Sequence, residues 1–371
     1  MSSIAVRILR QIVYGTLVIS GLPWLAARLN GPRSLILAYH GVHDGVVDPR
    51  LNFDGMHVRA RRFARQMRYV ARRYDVTTLD GLLDGAPAAG RSRPRAVITL
   101  DDGYRNVQRV AQPILRSLGL PATLFVPTDF VLRACGFWWD RLRVMVAAAE
   151  RPRVALPLDG AERTLSLRTL REQKAALAQL SDELRRLPSP RRETALRSLA
   201  ARLGVRASVD AGPLGERLSA AEVRALAEAG ITIGSHGVSH DALVLLTPEA
   251  LAHELSESKW RLEEWTGRPV AWLAYPHGEF SAGVVEATRR AGYRGAVTTI
   301  EALNDGGQDR YALRRIGVHD NMTLPHFIVA LSGLHDFVVG LVAVVRRVAP
   351  RALRPWPRPA MPLPPTDVRA R

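Results

Sequence analysis

Short apolar runs rich in β-branched residues alternate along the chain with segments in which apolar residues recur every three or four positions. The short runs predict buried strands at 35–42, 96–100, 122–126, 231–235, 270–275, 295–299 and 313–318. The periodic segments predict helices at 59–73, 106–118, 219–230, 247–265 and 281–292. Repeated strand–helix units imply parallel strands joined by right-handed crossovers, and therefore an α/β fold.

This alternation is interrupted between residues 130 and 215. Strand-like runs disappear there, Arg, Glu, Ala and Leu dominate, and helical periodicity is found at 138–149, 167–186 and 191–203. We therefore expect a helical insertion at 130–215 within a core domain that spans residues 31–330. The paired Trp138 and Trp139 are interpreted as anchors that dock the insertion, with a role in lining a ligand groove as the alternative.

Both ends of the chain lie outside this domain. Residues 1–30 are apolar, with Arg7 and Arg10 near the start. Three interpretations stay open: a signal sequence, a short membrane anchor, or an amphipathic helix lying on a membrane or on the domain. We favour a location at a membrane or in the cell envelope, with the cytoplasm as the alternative. Residues 331–371 are predicted to contain an apolar helix and then a disordered Pro/Arg-rich tail.

The formal net charge is +17, and it comes almost entirely from arginine because Lys174 and Lys259 are the only lysines. A charge of this size is typical of proteins that bind nucleic acid, acidic lipid or acidic glycan, but a solvated arginine-rich surface explains it equally simply. No nucleic-acid-binding motif accompanies the charge. We therefore expect no nucleic-acid partner, and a membrane surface stays open as a partner.

The run that ends at Leu100 is followed directly by Asp101 and Asp102. A buried strand should not end in two carboxylates unless a cation meets them, because burying unpaired charge is costly. The run at 231–235 is likewise followed by His236 and His240. On one helical turn this spacing would point both imidazoles the same way. Two neutral imidazoles and one carboxylate form a three-ligand site for a divalent metal, which leaves the second carboxylate free to take a proton.

Other predicted strands also end in polar residues, namely His40 after the first strand and His319 after the last. Polar groups at several strand ends favour a barrel, in which chemistry collects at the carboxyl ends of the strands. A dinucleotide-binding sheet is the weaker interpretation, since no Gly-rich phosphate fingerprint follows the first strands.

Three segments together resemble motifs of the NodB-homology polysaccharide deacetylases, carbohydrate esterase family 4. They are Thr-Leu-Asp-Asp-Gly-Tyr at 99–104, Ser-His-Gly-Val-Ser-His at 235–240 and Ala-Tyr-Pro-His-Gly at 274–278. The strand at 37–42 also resembles the first strand of many members. The resemblance covers residues 35–330 apart from the insertion, and it implies a distorted (β/α) barrel of about seven parallel strands.

The resemblance further implies a hydrolase that removes acetyl groups from N-acetylated glycans with a divalent metal, most often Zn²⁺. It assigns Asp101 as the general base and Asp102, His236 and His240 as metal ligands. The third motif, with Tyr275, Pro276 and His277, would contact the substrate, and a backbone N–H near His277 would stabilise the oxyanion. His40 is a further candidate for substrate contact.

The chain also departs from the family pattern. Ala274 stands where many members have an arginine that orients the base, and the fourth motif is not recognisable near 296–299. The family's general acid is a histidine that protonates the leaving amine. His319 is our candidate because it ends the last predicted strand, with His40 and His277 as alternatives. Two other functions stay open: hydrolysis of a non-sugar amide at the same site, and glycan binding without turnover.

Overall fold

The computed structural model describes residues 3–29, 33–84, 93–132, 136–158, 161–206 and 212–334. Most of the predicted segment 331–371 therefore lies outside the described residues. The strands are β1 Leu35–Tyr39, β2 Gly41–His43, β3 His57–Arg59, β4 Asp75–Thr77, β5 Arg95–Leu100, β6 Thr123–Val126, β7 Arg153–Leu158, β8 Ala161–Ser166, β9 Thr232–Ser235, β10 Trp272–Ala274, β11 Gly295–Val297 and β12 Ile316–Gly317. The α-helices are α1 Ser3–Ile19, α2 Leu22–Leu29, α3 Ala60–Arg73, α4 Leu79–Asp84, α5 Gln112–Ser117, α6 Thr128–Leu132, α7 Trp138–Ala147, α8 Leu170–Arg185, α9 Ser189–Leu203, α10 Gly212–Gly215, α11 Ala220–Glu228, α12 Pro248–Thr266, α13 Ala282–Arg290 and α14 Leu324–Leu331.

Seven parallel strands form a curled half-barrel in the order β11-β10-β9-β6-β5-β1-β12, and β4 adds an eighth strand beside the start of β5. The two ends of the sheet approach each other through a parallel bridge between Val297 and Leu313. This confirms the predicted (β/α) barrel. Because the strands are parallel, their carboxyl ends share one edge, where the chemistry of such folds is found.

The predicted strands are all present, but four of the seven end one to three residues before the predicted runs do. The first run, for example, ends at Tyr39, and the following residues form the separate strand β2, which pairs with β3. Several helix starts follow local capping chemistry, whereas α3, α7 and α9 begin without a side-chain cap. Ser219 and Glu222 form a capping box at α11, and the side chains of Thr247 and Ser281 accept hydrogen bonds at the starts of α12 and α13.

The insertion is mostly helical, with α7, α8 and α9 packed around their own apolar cluster. It also contains the antiparallel hairpin of β7 and β8, which the sequence analysis did not predict. Asp159 and Gly160 lie between the two strands, and Asp-Gly is a strong hairpin turn signal. The expectation that strands are absent from 130–215 was wrong because it weighed helix-forming composition above this turn.

The apolar N-terminal segment forms two helices, α1 and α2. The part of α1 from Gln11 and the helix α2 bend by 68° relative to each other. Within the described residues no single helix is long and apolar enough to cross a membrane, although this bent pair together meets the criteria of length and composition. One side of α1 packs against α14, with Tyr14 and Val329 buried between the two helices.

Candidate active site

The polar residues that follow the strands lie along the carboxyl edge of the sheet. Asp101 and Asp102 follow β5, His236 follows β9 and His277 lies after β10. Asp101 is held in place by its backbone N–H, which donates to the carbonyl of Tyr39 at 2.9 Å. The amide of His236 similarly donates to Val126 on the neighbouring strand β6 at 3.1 Å. Strand pairing therefore fixes where the backbone presents these side chains.

Asp102, His236 and His240 bring three donor atoms together in a buried cluster. The Nε2 atoms of His236 and His240 are 3.2 Å apart. The Oδ1 atom of Asp102 lies 3.6 Å from Nε2 of His236 and 3.5 Å from Nε2 of His240. The structure thus brings together the three residues that were predicted as metal ligands.

The hydrogen bond of His236 defines its tautomer. Its Nδ1 atom lies 2.7 Å from the carbonyl oxygen of Ala274. A carbonyl oxygen can only accept, so Nδ1 carries the proton and the Nε2 lone pair points into the cluster. A backbone carbonyl bound to the second ring nitrogen is the usual way in which proteins orient a metal-binding histidine.

The segment that carries both histidines is a loop and not the helical turn assumed from their spacing. His240 reaches the cluster because its backbone is left-handed, with φ of 60°. Gly237 also has positive φ, and a Cβ at that position would lie 2.8 Å from the Glu254 carboxylate. That carboxylate accepts from the N–H of Val238 at 2.6 Å and from the hydroxyl of Ser239 at 2.6 Å. A buried glutamate of α12 therefore holds the loop that carries His236 and His240, which we call the metal-ligand loop after its two candidate ligands.

Arg315 is the functional residue that the sequence analysis missed. Its guanidinium makes two hydrogen bonds to the Asp101 carboxylate, at 2.8 and 2.7 Å, and both side chains are almost fully buried. A further bond from Nη1 to Thr99 Oγ1 at 3.1 Å fixes the guanidinium. The missing arginine near Ala274 is thus replaced by one that lies just before β12. The signal was a charged pair, Arg314 and Arg315, inside an otherwise apolar strand-like run.

The pKa values of the two carboxylates are shifted in opposite directions because Arg315 pairs with Asp101 alone. Burial favours the neutral form of Asp101, but Arg315 outweighs burial and lowers the pKa of Asp101 from 3.8 to about 2. Burial raises the pKa of Asp102, and it lowers the pKa of His236 and of His240 to about 4. The two imidazoles are therefore neutral at pH 7 and supply no positive charge to Asp102.

The donor atoms fit a divalent metal. A tetrahedral zinc site with bonds of about 2.0–2.1 Å has ligand atoms about 3.3 Å apart, close to the separations between these three donors. The Oδ2 atom of Asp102 and the Nδ1 atom of His240 are buried without a hydrogen-bond partner among the described residues. A buried carboxylate that faces two neutral imidazoles lacks a cation, and a metal held by these side chains would supply one.

Backbone strain is concentrated in this site. In the described part of the chain the non-glycine residues with positive φ are Asp102, His240 and His277, at 75°, 60° and 59°. Such conformations cost free energy and persist where the surrounding structure imposes them. Two of the three belong to the cluster of candidate metal ligands, and the third borders it.

Three histidines are candidate general acids. The ring of His277 lies 4.7 Å from that of His240, and burial together with neighbouring His and Arg residues lowers its pKa well below 6.5. The pKa of His40 is lowered by burial but raised by Asp102 and Asp101. The pKa of His319 is lowered by burial and raised by Asp54. Each of the three has one buried ring nitrogen with no hydrogen-bond partner among the described residues.

The other residues of the third motif have a packing role in the structure. The ring of Tyr275 is fully buried and stacks on Phe280, and its hydroxyl donates to the carbonyl of Tyr311 at 2.9 Å. Pro276 is buried beside Gly237 of the metal-ligand loop. The N–H of Gly278 donates to the Tyr275 carbonyl at 2.8 Å. The Tyr275 side chain therefore packs in the core, although substrate contact was expected of this residue.

The insertion borders the site on the side of His240. The ring of Trp139 lies 4.8 Å from that of His240, and its indole N–H donates to the hydroxyl of Tyr104 at 2.9 Å. Arg192 donates to the carboxylate of Asp241, the residue after His240, at 2.8 Å. The insertion thus packs directly against the metal-ligand loop, and Trp139 both docks the insertion and lines one wall of the site.

Comparison with known proteins confirms the family resemblance. Residues 209–296 match the family model described as polysaccharide deacetylase. The Bacillus subtilis (strain 168) protein YxkH, which carries a provisional name as a polysaccharide deacetylase, is 29% identical over 106 residues. The match spans 29% of this chain and 38% of YxkH, so it covers well under two thirds of that relative.

Solved structures share the fold. The deacetylase PplD of Streptococcus pyogenes, solved in complex with acetate, is 17% identical and aligns with a TM-score of 0.53 over 82% of this chain and 98% of its own. BC0361, a polysaccharide deacetylase from Bacillus cereus, is 19% identical with a TM-score of 0.52 over 81% of this chain and 69% of its own. At these identities the likeness supports the fold, and the chemistry has to be argued from the residues.

Proposed function

We propose that this protein belongs to the polysaccharide deacetylase family and is a hydrolase that removes acetyl groups from an N-acetylated glycan by metal-dependent cleavage of the amide bond. The observation that carries the proposal is the cluster of Asp102, His236 and His240 beside a second carboxylate, Asp101, that Arg315 keeps ionised. A metal site next to a separate base is an arrangement that can catalyse amide hydrolysis.

Asp102, His236 and His240 would hold the metal. Their donor set of two imidazoles and one carboxylate suits Zn²⁺ and leaves a coordination position open. When bound there, a divalent cation would polarise the amide oxygen and make a water molecule more acidic. Zinc is therefore the cofactor that we propose.

Asp101 would accept the proton from the attacking water. Arg315 supports this role because its two hydrogen bonds fix the carboxylate and its charge keeps Asp101 ionised. A base with so low a pKa needs an acidic proton donor, which fits a water made acidic by a metal. The presence of the arginine also removes the argument for a glycan-binding protein without turnover, which rested on the apparent loss of that residue.

We propose His319 as the general acid that protonates the leaving amine. The carboxylate of Asp54 favours the protonated form of His319. His277 is disfavoured because the histidines and arginines around it lower its pKa and so favour its neutral form. His40 stays the alternative because the carboxylates of Asp101 and Asp102 raise its pKa, just as the carboxylate of Asp54 raises the pKa of His319.

Metal removal provides the test of the activity. We expect the purified protein to release acetate from a panel of N-acetylated glycans, to lose this activity after chelation and to recover it when Zn²⁺ is added back. Acetate release from small non-sugar amides alone would support the alternative substrate. No release from any amide by the zinc-loaded protein would contradict the proposal.

The assignment of His319 as the general acid can be tested separately, because an amine leaving group needs a proton and an aryl alcohol leaving group does not. His319→Asn should lose at least about a hundredfold in amide hydrolysis while it retains hydrolysis of an aryl acetate ester. Asp101→Asn should lose both activities. If His40→Asn shows the selective loss instead, His40 is the acid.

A further inference from the structure

The outer sides of the C-terminal part of α1 and of α2 form an exposed apolar surface. Twelve large apolar side chains are exposed in the described part of the chain, and half of them lie within 18 consecutive residues. We call these six residues the docking face; they are Ile12, Ile19, Leu22, Trp24, Leu25 and Leu29. Ile19 and Leu29 are 88% and 76% exposed. Apolar residues gathered in this way mark a surface that meets an apolar partner.

The docking face belongs to helices that are fixed on the barrel. Tyr14 stacks on His326 at 4.3 Å between ring centroids, and the hydroxyl of Thr323 lies 2.7 Å from Gln11 Oε1. Tyr14 is only 4% exposed. One side of α1 is therefore covered by α14. Together with the 68° bend between α1 and α2, this contact favours a helix pair that lies on a membrane surface over a pair that spans the bilayer.

Positive charge adjoins the docking face on α3. The guanidinium of Arg73 lies 5.5 Å from the ring of Trp24, which places the end of α3 against α2. Four further exposed arginines recur along one side of α3, at the helical spacing that aligns them: Arg61, Arg65, Arg68 and Arg72. This basic stripe lies about a quarter turn around α3 from the side that contacts α2.

We propose that the docking face and the basic stripe of α3 bind the surface of an anionic lipid bilayer. The apolar side chains would enter the boundary between headgroups and acyl chains, and the arginines would meet the lipid phosphates. Trp24 suits this boundary because its ring is amphipathic. A second copy of the chain is the weaker partner, since it carries the same net charge of +17 and would be repelled.

The test uses the full chain and sedimentation with vesicles of phosphatidylcholine alone or mixed with phosphatidylglycerol. We expect binding to the mixed vesicles that weakens as salt is raised, because the arginine contribution is screened. The double variant Ile19→Asp with Leu29→Asp should bind at least about tenfold more weakly. The matched control, Val46→Asp with Leu245→Asp, changes two exposed apolar residues elsewhere and should bind as the unchanged protein does.

A second pair of variants tests the basic stripe. Arg65→Glu with Arg68→Glu should weaken binding to the mixed vesicles and reduce its salt dependence. The control, Arg151→Glu with Arg153→Glu, makes the same charge change on exposed residues of the insertion and should weaken binding less. Melting temperatures show that each variant is folded. Equal binding by all variants, or no binding by the full chain, would overturn the proposal. Retention of the protein in the membrane after high-salt and alkaline washes would also overturn it, because such retention indicates a spanning segment. None of these readouts depends on deacetylase activity.

Discussion

Asp101 and Arg315 show how one buried charge determines the chemistry of another. Alone, a carboxylate at this depth would be driven towards its neutral form, as Asp102 is. The bidentate arginine reverses this for Asp101 and leaves two adjacent aspartates with different properties. Asp101 is held in its ionised form and can accept a proton, whereas Asp102, the proposed metal ligand, needs a cation to be stable in its charged form.

Substitutions at the site should separate metal binding from turnover. Asp101→Asn keeps the three donor atoms of the metal cluster, so we expect normal zinc content and a loss of acetate release of about a hundredfold or more. His240→Ala removes a donor atom and should lose both zinc and activity. Zinc content by elemental analysis and acetate release are measured together. Near-normal activity of Asp101→Asn would show that the base is assigned wrongly.

Arg315 should be as important as the base that it holds. Arg315→Met leaves the buried Asp101 carboxylate without its cation, which should reduce stability by about 3–5 kcal/mol as well as activity. Arg315→Lys keeps the charge but cannot make both hydrogen bonds, so an intermediate activity is expected. Urea unfolding and acetate release test both variants. Full activity of Arg315→Met would contradict a role in positioning the base.

At the scale of elements, the metal-ligand loop after β9 depends on a neighbouring helix. The loop has no regular hydrogen bonding of its own, and Gly237 and His240 both adopt left-handed backbone conformations. The carboxylate of Glu254 on α12 accepts hydrogen bonds from two successive backbone N–H groups and from the hydroxyl of Ser239. Hydrogen bonds to Glu254 of α12 therefore hold this loop in place, and it is not a helical turn as the spacing of the histidines suggested.

Glu254→Gln should weaken metal binding without touching a ligand. The amide group presents only one acceptor oxygen to donors that a carboxylate satisfies with two, so the loop loses part of its support. We expect zinc affinity to fall by about 10–100-fold, as is common for residues that orient metal ligands. Chelator competition measures the affinity. Glu257→Gln on the same helix, where Glu257 pairs with Arg261, is the control and should leave the affinity unchanged.

At the scale of the whole molecule, the half-barrel and the insertion enclose several buried titratable groups. His57 is one of them: its side chain is fully buried, Asn106 donates to its Nδ1 atom at 3.0 Å, and its ring packs on Tyr104. Burial, with a further contribution from Arg143, lowers the pKa of His57 to about 3. The fold therefore keeps this imidazole neutral over the whole physiological pH range.

This buried histidine should make the fold sensitive to acid. Because the pKa of His57 is lower in the folded chain than in the unfolded chain, the unfolded state binds more protons between about pH 6.5 and pH 3. The contribution of neutral His57 to stability is thus complete above pH 6.5. As the pH falls below this value, the free energy of unfolding decreases by up to about 1.4 kcal/mol per pH unit. Urea unfolding of the unchanged protein and of His57→Gln should give curves that converge as the pH falls from 6.5. Parallel curves would contradict the placement of His57.

The local pattern of the chain was sufficient for the fold and for the metal cluster. Apolar runs and capping residues located the strands and most of the helices, because burial periodicity and caps act over a few neighbouring residues. Parallel strands then bring their carboxyl ends to one edge whatever their order in the chain. That rule, together with the need of a buried carboxylate for a cation, predicted that Asp102 lies near His236 and His240.

Only the tertiary structure decided what those residues touch. Arg315 meets Asp101 across β1, which lies between β5 and β12, and no local pattern encodes the order of strands. The left-handed loop conformations, the support from Glu254 and the packing of the Tyr275 ring in the core likewise depend on contacts between residues far apart in the chain. The sequence by itself determined which groups could do the chemistry, whereas long-range packing decided their partners and charge states, since these depend on burial and distance.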